Sequence, residues 1–167
     1  KLVLVGYPGS EFLVPVSKYL ITRYMPGFDV VFLNYEGDVK RWSNFIKEYL
    51  ETLNDDLVIF ALDDYLINSP VDMEVYQDSL HRVKDDAVCI NLHKISTEEH
   101  VEYPVTTQYT IWNRKFLIWL LNQTRDPWDF EMRGSRILTT SGQYSLHNLR
   151  VAVHYNTSSA LSQRWHG

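Results

Sequence analysis

A single cysteine, Cys89, is all that this 167-residue chain contains, so no internal disulfide can form. Secretion is therefore neither required nor excluded. Cys89 lies in the apolar stretch Ala87-Val88-Cys89-Ile90, where a thiol is expected to be buried and inert. No apolar run approaches the roughly 18 residues that a membrane-spanning helix needs, and no signal peptide is visible. Positive charge is also short: the formal net charge of −5 argues against a general nucleic-acid-binding surface. The segment Gly6-Tyr7-Pro8-Gly9-Ser10 lacks the lysine and the glycine spacing of a P-loop. No G-x-G-x-x-G follows the first apolar run, which disfavours a dinucleotide-binding Rossmann fold. Repeats, low-complexity tracts and linkers are missing too. The expectation is one domain over residues 1–167, placed in the cytoplasm, or in the host cytoplasm for a viral protein. The start at Lys1, without Met, is read as that of a domain that can belong to a longer chain.

The chain does have hydrophobic periodicity. Leu2–Val5 reads as a buried strand, and Tyr7–Ser10 as a turn with Ser10 able to cap the next helix. Phe12, Leu13, Val16, Tyr19 and Leu20 share one helical face, and Pro26-Gly27 stops that helix. Val30–Leu33 is a second strand. Trp42, Phe45, Ile46, Tyr49, Leu50 and Leu53 mark the clearest amphipathic helix. Leu57–Leu62 is continuously apolar, as a strand covered on both faces must be. Ser69-Pro70 opens a helix carrying Met73, Tyr76, Leu80 and Val83, and Ala87–Leu92 is the next strand. This alternation predicts an α/β fold with a mostly parallel central sheet flanked by helices. The second half is less regular: a strand over Val105–Trp112, a helix over Arg114–Leu121, a polar aromatic stretch over Thr124–Arg136, and a last strand over Arg150–Tyr155.

Ligands of open α/β sheets bind beyond the carboxyl ends of the strands. Asp63 and Asp64 stand at that end of the Leu57–Leu62 strand. Two enclosed neighbouring carboxylates repel each other and lose hydration. A divalent cation, Mn²⁺ or Mg²⁺, relieves both effects and takes phosphate oxygens and water for its remaining positions. A helix cap or solvated turn is the plainer alternative for such a pair.

Ile59-Phe60-Ala61-Leu62-Asp63-Asp64-Tyr65 resembles the metal-binding Asp-x-Asp region of GT-A glycosyltransferases, in a variant with adjacent acids. Gln108–Leu117 followed by Asp126-Pro127-Trp128-Asp129-Phe130-Glu131 is similar to small viral and bacterial members, in which a strand ending in Trp leads into a helix and then a Trp-x-x-Glu segment. The resemblance covers residues 1–135, and size and aromatic content look like those of domains encoded by large algal viruses. It implies a nucleotide-sugar-binding half over residues 1–100, an acceptor-binding half over 101–167, and transfer from a nucleotide sugar, UDP-sugar favoured, to a glycan or glycoprotein hydroxyl. It further implies direct metal coordination by Asp64, with Asp63 on the metal's water or the donor. The Gly6–Pro8 turn would seat the base, with Tyr7 stacking on it, Asp38 hydrogen-bonding it and Arg41 reaching a phosphate. Glu131 or Asp129 would be the catalytic base; residues two apart diverge on a helix, so only one would enter the cleft, and the Trp-x-x-Glu spacing of the resemblance favours Glu131, leaving Asp129 to cap a helix beginning near Phe130. Trp128 and Trp112 would bind the acceptor. His154 would add a third metal ligand, ahead of His147 and His166. The non-enzyme alternative is a sugar- or nucleotide-binding protein that keeps the fold without turnover.

Overall fold

Strands β1 (Leu2–Gly6) and β3 (Leu57–Leu62) are apolar throughout because both of their faces are covered. In the computed structural model, which describes residues 1–85, 87–95, 104–142, 145–148 and 151–157, alternate residues of each strand enter two separate cores. Val3, Val5, Val58, Phe60 and Leu62 pack under helices α2 (Trp42–Glu51), α4 (Arg114–Leu121) and α5 (Pro127–Thr140). Leu2, Leu4, Ile59 and Ala61 pack under α1 (Leu13–Tyr24) and α3 (Met73–Asp85). The period-two alternation of a strand thus builds a three-layer sandwich from two hydrophobic segments.

The main sheet has six strands in the order β2-β1-β3-β6-β5-β7, with β2 at Val30–Asn34, β5 at Cys89–Ile95, β6 at Thr110–Asn113 and β7 at Ser145–Asn148. β1 pairs in parallel with both β2 and β3, and β5 with β7, while β6 runs antiparallel between β3 and β5. The chain leaves β1 towards β2 on one side and returns to β3 on the other. The carboxyl ends of β1 and β3 therefore flank a topological switch point, where a crevice opens. A second sheet pairs β4 (Tyr65–Ile67) with β8 (Tyr155–Thr157).

Several local expectations change. The buried face of α1 is Leu13, Ser17 and Ile21, whereas Phe12, Val16 and Tyr19 are exposed. Ser10 does not cap α1; its hydroxyl closes the Tyr7–Ser10 turn and reaches Asp63. Ser69-Pro70 precedes the third helix by a short extension, and the Asp72 carboxylate accepts from the Val75 N–H at its first turn. The polar stretch after Thr124 is helical from Pro127, with Asp126 as N-cap accepting from the Asp129 N–H at 2.8 Å. The strand expected over Val105–Trp112 is ordered as β6 only from Thr110. Of the last predicted strand, Arg150 lies outside the described residues, Ala152 and Val153 are buried outside any strand with their N–H groups donating to the Leu92 carbonyl of β5, and β8 begins at Tyr155. Cys89 is fully buried, and desolvation pushes its thiol well above the ordinary range, as expected of an inert core residue.

Trp112 belongs to the core and not to an acceptor wall. It is 0% exposed, and its ring packs against Phe130 at 5.8 Å and stacks on Phe116. Phe130 in turn meets Trp42 and Phe60 at 5.9 and 6.0 Å. This aromatic knot fixes α5 against β3. Trp112→Ala is expected to lower stability by about 3–5 kcal/mol, measured by urea unfolding; an unchanged midpoint with weakened ligand binding would restore the surface role.

Candidate active site

β3 ends at Leu62, and Asp63 and Asp64 form the turn that follows it. Their side chains meet different neighbours. Asp63 Oδ2 accepts from Ser10 Oγ at 2.7 Å, and Ser17 Oγ donates to the Asp63 carbonyl. Asp64 is in electrostatic reach of Glu131.

β1 shapes the Asp63 side. Val5 stands opposite Leu62, and the Asp63 N–H donates to the Val5 carbonyl, which brings Gly6 alongside the acid. A Cβ at Gly6 would meet Asp63 Oδ2 at 2.7 Å and Ser10 Oγ at 2.8 Å. Glycine is therefore required here for close approach. Tyr7 does not offer its ring to a ligand. It is 4% exposed and packs with Leu13, which removes the stacking role expected for it. Asp38 caps the short 3-10 turn Val39–Arg41 by accepting from the Lys40 N–H, and Arg41 is exposed at the start of α2.

The Asp64 side is shaped by residues 105–107. The Leu62 N–H donates to the Thr107 carbonyl, and Ser135 of α5 bonds the Val105 backbone. Glu131 then receives three hydrogen bonds on one oxygen: from the Thr107 N–H at 2.7 Å, Thr107 Oγ1 at 2.8 Å and Thr106 Oγ1 at 3.3 Å, all to Oε1. Oε2 is left without a hydrogen bond among the described residues. Neither threonine carries a sequence signal, and both were missed from sequence. Tyr65 and Tyr155, paired rings on the β4–β8 ribbon with centroids 4.9 Å apart, also border these acids and were missed.

Burial leaves both aspartates short of partners. Asp63 is 2% and Asp64 9% exposed, and Oδ1 of each is buried without a hydrogen bond. Desolvation first, then the neighbouring Asp64 charge, pushes Asp63 up to about 7 against the Ser10 hydrogen bond. Desolvation first, then the Glu131 charge, pushes Asp64 up to about 6. Two orphaned hard oxygens that resist ionisation fit a divalent cation of the Mg²⁺ or Mn²⁺ type. Among the described residues no three His, Cys, Asp or Glu side chains converge as a ready metal set. His154 accordingly does not join the aspartates; it is exposed, and its carbonyl accepts from the Asn68 N–H. His147 falls in β7, and His166 lies outside the described residues.

Asp129 and Glu131 diverge on α5. Asp129 Oδ2 accepts from the Arg125 N–H and pairs with its side chain, so it serves the helix start. Trp128 is exposed and lines a groove of about 680 Å³ on the outer face of α5, whose lining includes none of Asp63, Asp64 and Glu131. A second groove, about 710 Å³, lies between α1 and β2, also away from the three acids. Among the described residues no helix is long and apolar enough to cross a membrane.

No protein-family model matches this sequence, and no curated protein does. Solved structures do share its fold. A cytidylyltransferase from Leptospira borgpetersenii serovar Hardjo-bovis is 9% identical with a TM-score of 0.58, covering 89% of this chain and 75% of that one. The bifunctional IspDF from Campylobacter jejuni is 14% identical with a TM-score of 0.54 over 94% of this chain. This chain spans about half, 52%, of that protein's length. A197 from STIV is 10% identical with a TM-score of 0.54, covering 94% and 85%. The α/β arrangement expected from the sequence is thus the fold that these three structures share with this chain.

Proposed function

We propose that this chain is a metal-dependent transferase acting on a nucleotide-activated substrate, and specifically a glycosyltransferase using a UDP-sugar and a hydroxyl acceptor. The observation that carries the proposal is the pair of buried, unpartnered Asp63 and Asp64 oxygens at the switch point of the sheet. Asp64 and Asp63 would hold the cation. When bound, it supplies Lewis-acid stabilisation of the leaving diphosphate. Among the described residues these two carboxylates are the ones offered to it, so the nucleotide's phosphates would supply further oxygens, and metal and nucleotide would bind together.

Glu131 is the proposed base. Its Oε1 is held by Thr106 and Thr107, which fixes the carboxylate and leaves Oε2 open. The acceptor hydroxyl attacks the anomeric carbon as the bond from that carbon to the diphosphate breaks, and the proton passes to Oε2. This order gives inversion.

One fold neighbour suggests a second reading, nucleotidyl transfer, because it is a cytidylyltransferase. Residues 6–17 contain no Lys or Arg and include Glu11, so in either reading the charge that offsets the leaving group beside this segment would come from the cation. The test is a panel of UDP-sugars and of CTP with sugar phosphates, each with Mn²⁺. Slow UDP-sugar hydrolysis that disappears in Asp64→Ala is expected. Pyrophosphate release from CTP would select nucleotidyl transfer, and turnover of neither class would favour a binding protein without activity.

A further inference from the structure

The outer face of α5 carries a basic and apolar surface that the proposed chemistry does not use. Trp128, Met132 and Arg136 follow one another at four-residue spacing, which sets them in one row along the helix. Trp128 is 46% and Met132 58% exposed, and both line the 680 Å³ groove together with Arg125, Arg133 and Arg136. Its three arginines face two aspartates, Asp126 and Asp129, which leaves one positive charge in excess, and both aspartates sit at the helix start. Asp126 caps the helix, and Asp129 pairs with Arg125. Arg133 and Arg136 are exposed and have no ion-pair partner among the described residues. This cationic patch stands on a chain whose net charge is −5.

We infer that this face docks an acidic segment of another protein, with apolar side chains seated on Trp128 and Met132 and carboxylates on Arg133 and Arg136. Charge decides among the occupants. A symmetric contact between two copies through this face would bring like guanidinium groups together, which disfavours self-association. A long polyanion would meet the acidic remainder of the chain. A short acidic segment engages the two free guanidinium groups and escapes most of that repulsion. Exposed Trp, Met and Arg are also the residue types enriched at the centres of protein interfaces.

The test is selection of a displayed random 12-residue peptide library on the full chain, with counter-selection on the double variant R133E/R136E. Enriched peptides are then titrated by fluorescence polarisation. Asp or Glu flanking Leu, Phe or Trp is the expected consensus. Affinity should fall at least tenfold in R133E/R136E, and clearly in R133Q/R136Q and in Met132→Ala, with melting temperatures unchanged. Rising salt should weaken binding. Equal affinity for the double variant, a basic or uncharged consensus, or no Arg133- and Arg136-dependent enrichment would overturn the proposal. So would a chain that ignores the peptides while heparin or phosphatidylserine vesicles bind it through the same arginines.

Discussion

Replacing Asp63 with asparagine is expected to make the ligand-free protein more stable at pH 8. The folded-state pKa of about 7 lies above the ordinary 3.8, so the fold retains a proton that the unfolded chain releases. Between about pH 4 and 7 the folded form binds more protons, and stability falls as pH rises. The full separation corresponds to on the order of 4 kcal/mol, since each pH unit is about 1.4 kcal/mol. Relaxation and water entry reduce this, and a gain of about 2 kcal/mol, or about 4–8 °C in Tm, is the working expectation. Asparagine matches aspartate in shape, and its Oδ1 can keep the Ser10 hydrogen bond. Near pH 4 most of the difference should vanish. The same substitution should abolish stabilisation by Mn²⁺ with a UDP-sugar. Melting curves across pH check both halves; a variant that is less stable at pH 8 would show that the Asp63 charge is already compensated in the fold.

Glu131→Gln should leave donor binding intact and reduce transfer by about 10²–10⁴-fold, the range for loss of a general base. The amide oxygen of glutamine can accept the Thr106 and Thr107 hydrogen bonds, so the loop and α5 should hold their places. Only proton acceptance at the second atom is removed. Donor affinity measured by calorimetry and transfer measured by product formation separate the two effects. Full transfer activity would remove Glu131 from the base role, and a collapse of Tm would make it a structural carboxylate.

The strand-helix alternation of the first half was legible because each strand is a continuous apolar run and each helix keeps its spacing. The strand end bearing Asp63 and Asp64 was legible for the same reason. Their different neighbours, the Ser10 hydroxyl for Asp63 and the Glu131 charge for Asp64, were not legible, because both come from tertiary contacts. Tyr7 and Trp112 misled because an aromatic ring carries no sequence mark that separates core from binding wall; both are buried. The exposed row Phe12, Val16 and Tyr19 misled because apolar periodicity alone does not say which face meets the sheet. Thr106 and Thr107 were invisible because their role comes from the Leu62–Thr107 backbone bond and the approach of α5, both of them tertiary contacts.

A melting experiment at pH 8 with four arms tests the central claim most directly: protein alone, with Mn²⁺, with a UDP-sugar, and with both. Two buried carboxylates that need phosphate oxygens to complete a cation's shell predict a large rise in Tm only when both ligands are present, and none in Asp64→Ala. Additive or absent shifts, or an undiminished rise in that variant, would contradict it.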